Sequence, residues 1–306
     1  MLQVGFVRKV DMLPFVPVFV PNLVQVAPFV LAFAILCANP LRKHAGWFYA
    51  LWTLVVVAAT WYDPVISLMG EAAPAAAFAM ESQMSALPST MPALYAIVQL
   101  LTSSFTGVAF YLVVMFVGAL ERTPIVKRLL SVRSELSVIG GIVIMGHLVR
   151  IVDFPFMFAN PMWATIWGSP AVDYMFIAAV VIGPLLTVAF LVPWITSFKV
   201  IRKRMDHATW KKTQLLAYPF MALMIAQGFF LALGHALYGF PYDGSSFMMS
   251  FMSDPAAWVG AFAQQVATAW MYASIGVAYL VLRLRKRSRD KARRESVLRE
   301  QGAEGA

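Results

Sequence analysis

Long apolar runs, almost free of charge, divide this sequence from end to end. They lie at about residues 22–38, 46–62, 92–120, 136–153, 174–198, 213–238 and 256–282. A helix rises ~1.5 Å per residue, so ~20 residues cross a hydrocarbon core of ~30 Å. Inside lipid a backbone has no water to bond, which leaves helices or closed barrels as the spanning structures. The runs lack the two-residue alternation of a barrel strand. The predicted fold class is therefore all-α: a polytopic membrane helix bundle of about seven transmembrane helices. Composition agrees, with 60% hydrophobic residues, 13% charged and a mean hydropathy of +0.73, too apolar for a soluble domain. The first run is the least regular. Pro14, Pro17, Pro21 and Pro28 each remove a backbone donor, and the residues before 22 are expected to lie along the interface.

The net charge of +9 raises the question of nucleic acid, and its distribution answers it. Of the 24 Lys and Arg residues, all but Arg8, Lys9 and Arg150 fall in one set of connections: 42–43, 122–133, 199–212 and the tail after 282. The opposite connections, 63–91, 154–173 and 239–255, contain no Lys or Arg. Basic loops stay on the cytoplasmic side, so the amino terminus is expected outside and the carboxyl terminus in the cytoplasm. The positive charge then serves the lipid bilayer, and no nucleic-acid partner is expected. The pattern separates a two-helix segment with an outer loop (1–91), a membrane bundle (92–282) and a basic tail (283–306), the tail expected to be helical at first and solvated.

The outer connections are themselves apolar. Residues 71–79 and 154–172, the latter with Trp163 and Trp167, read as interfacial segments. Residues 245–254 gather Met248, Met249 and Met252; thioethers suit Cu(I) and haem, but methionine is frequent throughout this chain. A single cysteine, Cys37, rules out an intrachain disulfide and a Cys-based zinc or iron–sulfur site. The amino-terminal apolar run ends in no small-residue cleavage site, so it is expected to be retained.

Among four histidines, only His147 sits in the middle of an apolar run. A histidine inside a bilayer is costly and usually has a partner or a task. It lies about 12 residues into its span, or ~18 Å from the basic side. Gly140 and Arg150 share its face. A glycine below an imidazole leaves room for a flat ring, and an arginine above it can pair with a propionate. These features suit an axial haem ligand. They equally suit a packed helix, with Gly140, Gly141 and Gly146 admitting neighbours and Arg150 reaching the headgroups. A second ligand must match the depth of His147. His235 lies ~34 Å into its span, ~16 Å out of plane. His44 and His207 fall in basic connections. Gln227, ~22 Å in, is the polar residue at matching depth. It can bond a bound water or a quinone, or simply another helix.

Three segments carry a family resemblance: residues 119–140 (ALERTPIVKRLLSVRSELSVIG) leading to Gly146-His147, residues 192–198 (VPWITSF), and residues 210–218 (WKKTQLLAY). Together they resemble the ferric-reductase-like transmembrane domain, in particular the haem-binding membrane subunit of bacterial methionine-sulfoxide reductase systems. The resemblance covers roughly residues 92–240. It implies a bacterial-type plasma (inner) membrane and an electron-transfer subunit. A b-type haem would pass electrons between a flavin or quinol donor and an outer acceptor, with a separate protein as donor or acceptor. His147 falls on a family ligand position and would be the metal ligand. The family's partner histidines would fall at Gln214 and Gln227, and both are glutamine here. A lower ligand would fall near Arg133 or Ser134, and neither ligates haem. Two readings follow: haem b held by His147 with an unusual or absent sixth ligand, or a haem-free anchor or assembly subunit of an oxidoreductase complex. A transporter ranks behind both, since the spans lack paired intramembrane charges.

Overall fold

The computed structural model describes residues 16–17, 19–151, 170–238 and 255–304. The segments 154–169 and 239–254, including Trp163, Trp167 and the methionines of 245–254, lie outside the described residues. The amino-terminal residues through 15 lie outside them too.

Among the described residues every regular element is a helix. The chain begins with α1 (Asn22–Leu36), α2 (Ala38–Ala72), α3 (Pro74–Thr90), α4 (Pro92–Thr102) and α5 (Ser104–Val117). It continues with α6 (Pro124–Leu130), α7 (Arg133–Arg150) and α8 (Pro170–Ile195). The last four are α9 (Lys199–Arg202), α10 (His207–Gln214), α11 (Ala217–Tyr238) and α12 (Pro255–Glu304).

Three stretches are each long and apolar enough to cross a membrane: Ile177–Ile195, His207–Ala236 and Trp258–Arg293. Three more qualify only as bent pairs: α1 with the first part of α2 (102°), α4 with α5 (51°), and α6 with α7 (59°). The described residues thus supply three to six candidate spans. Seven are expected from the sequence; the difference arises because runs 22–38 and 46–62 meet at a corner. With 15 residues, α1 is ~22 Å long, short of the ~30 Å core. The expected outer connection 63–91 is also different in structure. It continues α2 and forms α3, and the Tyr62 hydroxyl joins the two by donating to the Met80 carbonyl (3.2 Å).

Local sequence sets where some of these helices stop and start. Between α4 and α5, Ser103 is extended (φ −65°, ψ 139°) and its side chain accepts from the Phe105 N–H. That caps the new helix at the point where the old one stops. At the start of α6, Thr123 accepts from Val126 and Pro124 occupies the first turn, where its missing N–H costs nothing.

The core explains which faces turn inward. Leu23, Val26, Val30 and Ala34 recur at three- and four-residue steps and are at most 4% exposed, an apolar stripe of helical period. They join Phe110, Leu136, Ile139 and Val143 in one cluster. Segment 1–91 therefore shares its core with the helices after 92. Phe33, Trp52 and Phe110 meet edge to face with centroids 5.1–5.9 Å apart. The outward side is equally apolar. On α8, Ile177, Val181, Leu185 and Val188 form an exposed stripe, and on α12 Trp270 is 70% exposed. Exposed apolar surface on this scale suits contact with lipid rather than water.

The basic connections gather at one end of the bundle. Lys199 pairs with Glu135, and Lys286 donates to the Gly118 carbonyl (2.7 Å). Arg289 pairs with Glu121, and Arg283 lies over the Tyr218 ring. The tail begins as the continuation of α12 and is mostly exposed, and Lys286 and Arg289 within it dock on the α5–α6 connection.

Candidate functional site

The candidate site centres on α7. Its first turn carries Glu135, a favourable place for an anion against the helix dipole. Its middle and end present Gly140, Gly141, Gly146, His147 and Arg150.

The glycines are where neighbours come closest. A Cβ on Gly140 would lie 2.8 Å from Phe110 Cβ, 3.3 Å from Tyr111 Cε2 and 3.4 Å from the Gly107 carbonyl oxygen. The space beside Gly140 is filled by α5. Beside Gly141 the Trp194 indole occupies the position a side chain would need, and its N–H donates to the Val138 carbonyl (3.2 Å). Tyr111 donates to the Ser137 carbonyl (3.0 Å) from within the same contact. These are close helix crossings held by interhelical hydrogen bonds, and no flat cavity opens over Gly140.

His147 is partly buried near the far end of α7. No hydrogen bond to its imidazole is found among the described residues. Arg150 is exposed, and its guanidinium donates to the Ala59 carbonyl on α2 (2.8 Å). The structure therefore ties Arg150 across to a neighbouring helix.

The two glutamines reach α8 and the turn that follows it. Gln227 donates to the Ala179 carbonyl of α8 (3.3 Å), and its amide nitrogen lies beside Gly183. Gln214 donates to Thr196 Oγ1 (3.0 Å) and to the Pro193 carbonyl (3.3 Å). Trp210 closes this cluster by donating to the Thr196 carbonyl (3.2 Å). Both amides thus join α8 to the helices after it. Among the described residues no group of three or more His, Cys, Asp or Glu side chains is placed to hold a metal ion.

The fit to a two-ligand haem is poor on geometry alone. The glycine meant to receive the ring is covered, and the glutamines at the partner positions are committed elsewhere. His147, Arg150 and Gly140 share a helix, but Gln214 and Gln227 point to α8.

One polar group escaped the sequence reading. Glu135 is 2% exposed. Its Oε1 accepts from Lys199 (2.9 Å) and its Oε2 from the Ser134 hydroxyl (2.7 Å). The signal is an acidic residue in the first turn of a helix that continues as an apolar run. Its partner lies 64 residues away in the chain, beyond the reach of any local pattern.

No known family's profile matches the chain, and no solved structure matches it. An uncharacterized protein of Treponema pallidum (strain Nichols) is 29% identical over 141 residues, which is 46% of this chain and 37% of that protein. The matching segment thus spans well under half the length of the relative.

Proposed function

We propose that this chain is a haem-free membrane subunit that anchors or assembles an oxidoreductase complex, with its basic end facing the cytoplasm of a bacterial-type inner membrane. The observation that carries the reading is the commitment of Gln214 and Gln227. Both side-chain amides donate to α8 or the turn that follows it, so the places where the resembled family carries ligands hold helices together here. The closed contact of Gly140 with Phe110 supports the same reading. The link to an oxidoreductase rests on the resemblance of residues 119–140, 192–198 and 210–218.

A second reading has its own support. His147 is a partly buried intramembrane histidine, and such groups are costly unless used. In that reading the chain carries one b-type haem on His147, or meets a quinone there, and passes electrons between separate proteins.

The test is an optical spectrum of the protein purified from haem-sufficient membranes. Folded protein without reduced-minus-oxidised b-type bands is the expected result. Stoichiometric haem whose bands vanish in His147→Ala refutes the haem-free reading and establishes the second. Gln227→His adds a control: under the proposal it leaves the spectrum unchanged, because residue 227 faces α8.

A further inference from the structure

The basic end of the bundle contains a cleft of about 630 Å³ between the start of α2 and the turn from α8 into α9. Arg42, Lys43, Tyr49, Phe198 and Lys199 line it. Its walls differ in chemistry. The Tyr49 and Phe198 rings meet at 66° with centroids 6.4 Å apart, forming an aromatic side. Arg42 and Lys43 also line it and are exposed, on a segment bounded by the corner at Cys37 and the non-helical backbone of His44 (φ −127°, ψ 35°).

Charge balance decides what the cleft can hold. Lys199 remains 62% exposed at its side chain while its ammonium is matched by Glu135. The Glu135 carboxylate is in turn satisfied on both oxygens. Among the described residues Arg42 and Lys43 therefore remain as the two lining cations with no ion-pair partner. Apolar side chains are exposed at and beside it: Val200, which lines the cleft, is 68% exposed and Trp47 78%. Cations beside an aromatic wall, opening onto apolar surface at the end of a membrane bundle, suit an amphiphile with an anionic head. Basic pockets between membrane helices take such headgroups.

We infer that this cleft binds the phosphate headgroup of an anionic phospholipid. Arg42 and Lys43 contact the phosphate, Lys199 is held in place by Glu135, and the acyl chains follow the apolar surface beside Val200. A phosphate ion alone would have no use for that apolar surface. The inference stands apart from the proposed function, since it requires neither haem nor a partner protein.

The full chain, purified in mild detergent, is titrated with phosphatidylglycerol and with phosphatidylcholine of identical acyl chains, and bound lipid is read by native mass spectrometry. The expected result is a preference for phosphatidylglycerol that falls roughly 25-fold in Arg42→Gln/Lys43→Gln. Lys211→Gln/Lys212→Gln, on exposed positions of α10 at the same end, should retain the preference. The single variant Lys43→Gln gives an independent reading with a smaller fall. Loss of the preference in both double variants alike would show diffuse surface charge and overturn the site, as would its retention in Arg42→Gln/Lys43→Gln. Displacement of the lipid by inorganic phosphate at equal concentration would overturn the assignment to a lipid.

Discussion

Replacing Gly140 by alanine separates a packing role from a cofactor role. The new Cβ would sit 2.8 Å from Phe110 Cβ, closer than real Cβ atoms approach. Phe110 cannot relieve this by rotating, since its Cβ is fixed to the backbone of α5. The helices must move apart by several tenths of an ångström, and overpacking of this kind costs about 1–3 kcal/mol. The unyielding partner puts Gly140→Ala near the top of that range. Alanine returns about 1 kcal/mol as the better helix former, so the expected net loss is about 1–2 kcal/mol. Gly46 is the internal control. It is also helical, but a Cβ there meets nothing within 4 Å, so Gly46→Ala should be neutral or slightly stabilising. Reversible unfolding of both variants in mixed detergent micelles, followed by tryptophan fluorescence, measures the difference. Equal stability of Gly140→Ala and Gly46→Ala would refute the packing argument. A fold left intact with altered haem content would point back to a ring beside Gly140.

Two further predictions test the basic end. Lys199→Met leaves the buried Glu135 carboxylate with Ser134 as its remaining hydrogen-bond partner among the described residues. The lysine is mostly exposed, so screening limits the loss, and about 1–2 kcal/mol is expected. Glu135→Gln in the same background should recover part of it, and unfolding of the four proteins in a double-mutant cycle measures the coupling. At α10, Asp206 caps the helix by accepting from the Thr209 N–H (2.8 Å). The hydrogen bond from Thr209 holds its carboxyl below the ordinary aspartate value. A group with a depressed folded-state pKa contributes fully above its unfolded value and loses that contribution as pH falls through the folded one. The Thr209 amide should therefore exchange faster, relative to the intrinsic rate, as pH drops below the usual aspartate range. Asp206→Ala should show fast exchange at every pH.

Much of the architecture was legible from hydropathy because lipid imposes a single requirement, long apolar helices. The helices at 174–198, 213–238 and 256–282 were recoverable from run length for that reason. Bends were not. Ser103 and Cys37 lie inside apolar stretches, and hydropathy cannot distinguish a capped break from a continuous turn. The docking of the tail escaped for a different reason. Charge and helical tendency along the chain do not name a partner, and Glu121 and Gly118 sit more than 160 residues away.

By itself the sequence determined the helical class and the lipid-facing character, because both follow from the cost of exposing an apolar side chain or an unpaired backbone group to the wrong solvent. It also determined that His147 is the one histidine in the middle of an apolar run. Only the tertiary structure decided what surrounds Gly140, where Gln214 and Gln227 point, and that Glu135 meets Lys199. Spacing along one helix assigns residues to a face. It does not say which neighbour covers that face, and that neighbour is what separates an open cofactor cradle from a close helix crossing.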